Sequence, residues 1–127
     1  MFAAADVEDK DHRRCAAVFD DFNLQFVFPA LIVAKAAYFI ATRLGAAAEA
    51  ALLRTLSDQD VELPAPEDWE KIARLVEKYA DFPLGAADAS IVVLAERLGT
   101  DLIVTLDRRH FGALRTVSGG TFRILPD

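Results

Sequence analysis

Two aspartates, Asp88 and Asp107, are spaced so that an α/β fold can bring their carboxylates to one edge. Asp88 lies in Leu84-Gly85-Ala86-Ala87-Asp88-Ala89-Ser90. After it Ile91, Val92, Leu94, Ala95 and Leu98 recur at helical spacing, and Gly99 stands where a helix stops. Asp107 closes Leu102-Ile103-Val104-Thr105-Leu106-Asp107, whose β-branched, uninterrupted start reads as a buried strand over Leu102 to Thr105. A helix of about 13 residues runs roughly 20 Å. A strand returning along it sets the first helical turn, with Asp88, beside the strand end, with Asp107. Open α/β sheets place their ligands at that edge. Two carboxylates there suit Mg2+ or Mn2+, hard cations that take oxygen ligands and keep several waters. Such an ion can activate water and neutralise a phosphodiester during hydrolysis. The same spacing also fits a plainer arrangement, in which Asp88 caps its helix and Asp107 starts a turn.

Two further features bear on this edge. Lys35 is the only charged residue between Asp21 and Arg43, and its helical neighbours Leu31, Ile32, Tyr38 and Phe39 are apolar. An isolated charge in such a run needs a partner if it is buried; either its ammonium points at the acidic cluster, or it snorkels at the rim of an interface. Arg108-Arg109-His110 follow Asp107 directly and can contact nucleic-acid phosphates beside a metal, or form a solvated loop.

The rest of the chain must position these groups. Its 127 residues suit a single domain, residues 1–127, with 54% hydrophobic residues to fill a core. No apolar run approaches the ~18 residues of a membrane span, and there is no signal-peptide layout, which points to a cytoplasmic protein. Cys15 has no second cysteine to pair with and shares a helical face with Val18, Phe19 and Phe22, as a small packing residue. His12 has no second ligand at metal-binding spacing. The net charge of −6 offers no broad basic face for nucleic acid, although an acidic metal site is compatible with a nuclease.

In chain order, Asp9 or Asp11 caps a helix running to about Phe22, and Leu24–Phe28 alternates as a short strand. Pro29 suits the start of a helix over Ala30–Leu44, closed by Gly45. A second helix covers Ala46 to about Leu56, with Ala50, Leu53 and Leu52 or Leu56 on its apolar side. Val61–Leu63 reads as a strand. Pro66-Glu67-Asp68 opens a helix whose buried stripe is Trp69, Ile72, Leu75, Val76 and Tyr79, its two acids favourably placed at the positive end of the macrodipole. After the central stretch, Val117–Gly120 is a turn and Phe122–Leu125 a final strand. Helices alternating with strands predict an α/β domain, a central parallel sheet flanked by helices.

These residues carry a resemblance. The strings Ala80-Asp81-Phe82-Pro83-Leu84-Gly85-Ala86-Ala87-Asp88-Ala89-Ser90, Ala95-Glu96-Arg97-Leu98-Gly99 and Ile103-Val104-Thr105-Leu106-Asp107-Arg108-Arg109-His110-Phe111 resemble the C-terminal half of PIN-domain ribonucleases, in particular VapC toxins of bacterial toxin–antitoxin pairs. Pro29-Ala30-Leu31-Ile32-Val33-Ala34-Lys35-Ala36-Ala37-Tyr38 resembles that family's second block, and Asp6–His12 the polar stretch after its first strand. The resemblance spans essentially the whole chain. It implies a PIN-like fold and endonucleolytic RNA cleavage at a cluster of acids holding Mg2+ or Mn2+. Asp88 matches the third family acid, Asp107 the fourth, and Thr105 a hydroxyl position near the metal. Arg108 and Arg109 are then RNA contacts, and the implied partners are a cognate antitoxin and a second copy in a homodimer.

Two departures from the family pattern follow. The first family acid sits on a strand that precedes the position of Asp6 and is expected to be missing from a chain starting at Met1. The second, a glutamate on the second-block helix, is replaced by Lys35. The expectation is a site with weakened metal binding and cleavage, in which Lys35 pairs with Asp88 and Asp107. The alternative is a catalytically degenerate PIN module that acts by dimerisation and antitoxin binding. An aspartate-based phosphoacceptor domain lacks the early strand-end acid it needs.

Overall fold

A computed structural model of the chain describes residues 26–82, 84–105 and 108–125. The expectations for Asp6–His12, the helix to Phe22 with Cys15, and the first family strand lie outside these residues, as do Leu106 and Asp107. The chain divides into two compact units, Met1–Glu62 and Leu63–Asp127.

In the first unit, β1 (Val27–Pro29) leads straight into α1 (Ala30–Leu44), and α2 (Ala46–Thr55) follows. Pro29 has φ −63°, which its ring fixes and a helix entry requires. Gly45 joins the helices with φ +91°, a value its missing Cβ permits. Its amide donates to the carbonyls of Ile40 and Ala41 and so closes α1. A single 3₁₀ turn (Leu56–Asp58) brings the chain to β2 (Asp60–Glu62), which pairs in parallel with β1, Phe28 opposite Val61. Parallel pairing requires a crossover, here supplied by α1 and α2. β2 begins one residue earlier than Val61, and Leu63 is exposed beyond it. The apolar side expected for α2 does not form: no α2 residue is buried and Leu53 is exposed, because α2 packs mainly on α1 through small alanines and half-buried side chains.

In the second unit, α3 (Asp68–Lys78) packs on α4 (Ala86–Leu98). Ile72 is buried, with Leu75 and Tyr79 packed against the core, whereas Trp69 and Val76 are exposed. The stripe is therefore narrower than its apolar residues suggest. A short helix resting on one neighbour has room to bury only the middle of its face. α4 buries Ala89, Ser90, Val92, Val93, Leu94 and Ala95, nearly all round, and is the centre of the unit. It ends at Gly99 in the left-handed region (φ +67°), with Gly99 N–H bonded to Glu96 O and Thr100 N–H to Ala95 O, the paired bonds of a Schellman motif. Two residues later β3 (Leu102–Val104) begins and pairs in parallel with β4 (Arg123–Leu125). Between them lies α5 (Arg108–Ala113), where the sequence suggested a loop. The core of this unit joins Ile72, Leu84, Val92, Val93, Ile103, Phe111, Leu114 and Phe122, with the Phe111 and Phe122 rings edge to face at 6.5 Å. The expected parallel pairing thus forms, among the described residues, as one two-stranded ladder in each unit.

A buried carboxylate ties α3 to α4. The Asp68 side chain is 6% exposed; its Oδ2 accepts from the Ala65 amide at 2.9 Å and from Arg97 Nη1 at 2.9 Å. The first of these bonds ties the turn that precedes α3 back onto the helix's first residue. Arg97 Nη2 also donates to Leu63 O, so one guanidinium pins the segment leading into α3. Asp68→Ala removes the shared acceptor of a part-buried amide and of the Arg97 Nη1 group. The expected loss is about 2 kcal/mol, read as a lower urea midpoint at unchanged slope.

Candidate active site

Asp88 is the third residue of α4 and is half-buried. Gly85, at the helix N-cap, offers no side chain to the first-turn amides, and Asp88 is the acidic residue of the helix's first turn, at its positive end. The neighbouring Ser90 hydroxyl is turned inward and donates to Ala87 O, which leaves Asp88 as the charged group of the turn.

Thr105 follows the last residue of β3. Its amide donates to Leu125 O at 2.8 Å, extending the β3–β4 ladder by one bond. Asp101, at the opposite end of β3, fixes β4 twice: its carbonyl accepts from the Arg123 amide at 2.7 Å and its Oδ1 from Arg123 Nε at 2.6 Å. The strand is therefore held at both ends. Ile103 shares one buried cluster with Ala89, Val92 and Val93 of α4. Asp107, two residues past Thr105, lies outside the described residues. Arg108 and Arg109 open α5 rather than a loop. Cations in a first turn oppose the macrodipole, and Gly112 lowers helix propensity, so nothing local announces this helix. Its far end is closed by Arg115, whose Nη1 donates to Leu114 O at 3.0 Å and reaches Gly112 O and Ala113 O at 3.3 Å.

Lys35 is on α1, in the other unit, and is exposed. The apolar neighbours that suggested a buried charge do not enclose it. Although α1 is apolar nearly all round, it buries only Ala36 and Ile40 and turns Lys35, Tyr38, Phe39, Thr42 and Arg43 outward. That aromatic and cationic face is the feature the sequence reading missed. Its signal is the spacing of Lys35, Phe39 and Arg43 four residues apart.

Among the described residues, no three His, Cys, Asp or Glu side chains gather as a metal cluster. The donor types nonetheless fit a hard cation: Mg2+ is commonly bound by one or two carboxylates with water completing its shell. The Asp88 carboxylate is a ligand of that type, whereas an ammonium at Lys35 cannot ligate.

Fold and motif agree with the family comparison. The model of the PIN domain matches residues 2–115, and the chain belongs to the PIN-domain family. It is 41% identical to Ribonuclease VapC26 of Mycobacterium tuberculosis over 128 residues, covering 99% of this chain and 95% of that protein. Its fold is similar to the crystal structure of Mycobacterium tuberculosis VapC20, a Sarcin-Ricin loop cleaving toxin, with a TM-score of 0.75 at 14% identity over 88% of this chain and 89% of that one. The family resemblance carried by the two acidic motifs is borne out. No described helix is long and apolar enough to cross a membrane.

Proposed function

We propose that this chain is a VapC-type toxin, an endoribonuclease that cleaves RNA with Mg2+ or Mn2+ and is held in check by a cognate antitoxin in the cytoplasm. The supporting observation is 41% identity to a ribonuclease across 99% of the chain. Asp88 and Asp107 would hold the cation, whose role when bound is to polarise the scissile phosphodiester and its attacking water. Asp88 contributes a carboxylate fixed by a helix that is itself the centre of its unit. Thr105, with its backbone held by Leu125, orients the strand end that leads to Asp107. Arg108 and Arg109 neutralise RNA phosphates from the first turn of α5. The active form is a homodimer of single PIN-like domains.

Lys35 attenuates this activity. It stands where the resemblance puts a ligand glutamate, so a cationic ammonium, which cannot ligate, replaces a carboxylate at that position of the family pattern. Titration calorimetry with Mn2+ should accordingly show weak binding. Cleavage of a labelled RNA should need the ion and fall at least about a hundredfold in Asp88→Asn, the scale of losing a charged contact to the transition state. Tight Mn2+ binding with Lys35 intact would sink the attenuation. No cleavage at any Mn2+ concentration would instead favour a PIN module that works by binding its antitoxin.

A further inference from the structure

Tyr38 is 65% exposed and Phe39 39% exposed on α1, next to each other and at an edge-to-face centroid distance of 5.9 Å. The Arg43 guanidinium lies over the Phe39 ring, 5.9 Å from its centroid, so the ring face already accepts a flat cation. Lys35 stands one turn before this pair and Arg43 one turn after it. The stripe from Lys35 to Arg43 covers about 12 Å of helix at 1.5 Å per residue. α1 carries no acidic residue, in a chain whose acids outnumber its lysines and arginines 20 to 14. A locally positive, aromatic stripe on an otherwise acidic protein is complementary to a polyanion with flat bases.

We propose that this face of α1 is a stacking platform for single-stranded RNA, with bases on Tyr38 and Phe39 and a phosphate at Arg43. The inference rests on the ribonuclease reading and extends it by adding a substrate-binding surface on α1. Aromatic stacking tolerates any base, while the cation tracks the backbone. A second copy is the poorer occupant, because a two-fold contact through this face brings like charges together.

The test is metal-free, so that its outcome is separate from that of cleavage. Anisotropy of a 5′-labelled oligouridylate of about 12 nucleotides is measured with the full chain in EDTA. Tyr38→Leu and Phe39→Leu should each weaken binding about tenfold, and Tyr38→Phe, which keeps the ring, should not. Arg43→Gln should reduce the slope of log affinity against log salt by about 0.7. Val117→Ala, at an exposed site on the second unit, serves as the unaffected control. Far-UV circular dichroism confirms folding, and light scattering gives the mass in the same samples. Unchanged RNA affinity in both leucine variants overturns the proposal; a simultaneous fall in mass assigns the face to contact between copies, and lost antitoxin binding assigns it to that protein. RNA binding that depends on Tyr38 in a chain without nuclease activity leaves the platform standing and the cleavage reading overturned.

Discussion

Lys35→Glu is expected to raise both Mn2+ affinity and the rate of RNA cleavage, by about ten- to a hundredfold. On the proposed reading, in which position 35 is the family's ligand glutamate, the substitution would remove a like charge and supply a carboxylate oxygen, a local swing of two charge units. One charge-assisted contact contributes roughly 1.5–3 kcal/mol, and each 1.4 kcal/mol is about tenfold in affinity. Lys35→Gln separates the two effects: it removes the repulsion without adding a charged ligand and should recover only part of the gain. Calorimetry and single-turnover cleavage on the three proteins check this order. Equal affinities would place position 35 away from the metal and leave Asp88 and Asp107 as an uncontested pair. Because Lys35 is exposed on α1, neither substitution is expected to unfold the protein.

Leu114→Ala should be the most damaging single truncation in the second unit. Leu114 is fully buried in the cluster that includes Phe111, Phe122 and Ile103. It lies where α5 ends, and its carbonyl accepts from Arg115, so the backbone around it is fixed and can relax only slightly into the space left behind. Lost burial and residual cavity together cost about 3 kcal/mol for such a site, a large share of the 5–15 kcal/mol typical of a domain. The melting temperature should fall by roughly 10 °C. Val117→Ala, exposed three residues on, should change stability by less than about 0.5 kcal/mol. A small loss at Leu114 would mean that α5 and β4 detach without opening the core.

Helix α4 and strand β3 were legible because their information is local. Apolar periodicity, a first-turn acid and Gly99 define the helix, and the β-branched run defines the strand. The pairing of Asp68 with Arg97 was not legible, since nothing in either neighbourhood marks a partner 29 residues away. Asp68 fitted its helix dipole well enough to need no further explanation. Trp69 and Val76 mislead for the converse reason: their periodicity is correct, but exposure depends on how many neighbours a helix receives. Lys35 shows the same limit, because an apolar sequence around a charge does not enclose it unless other elements cover that face. Asp88 was singled out by residue type and spacing and Thr105 by the family resemblance, and the structure places them in the first turn of a helix and just past a strand. α5 was hidden by its length of six residues and its unfavourable first turn.

The parallel ladder of β3 and β4 also has a consequence in time. A hairpin cannot make it, so its bonds wait for the whole connection through α5 and the Arg115–Thr121 bridge to close. α4 and its Gly99 turn, built from neighbours in sequence, can form on the microsecond scale of isolated helices, whereas contacts that join distant segments lag behind local ones. The bond from Thr105 to Leu125 belongs to this late set. A newly made molecule is therefore expected to form the helix that carries Asp88 early and the strand pairing that holds Thr105 late, so that this part of the fold is completed after compaction rather than with it.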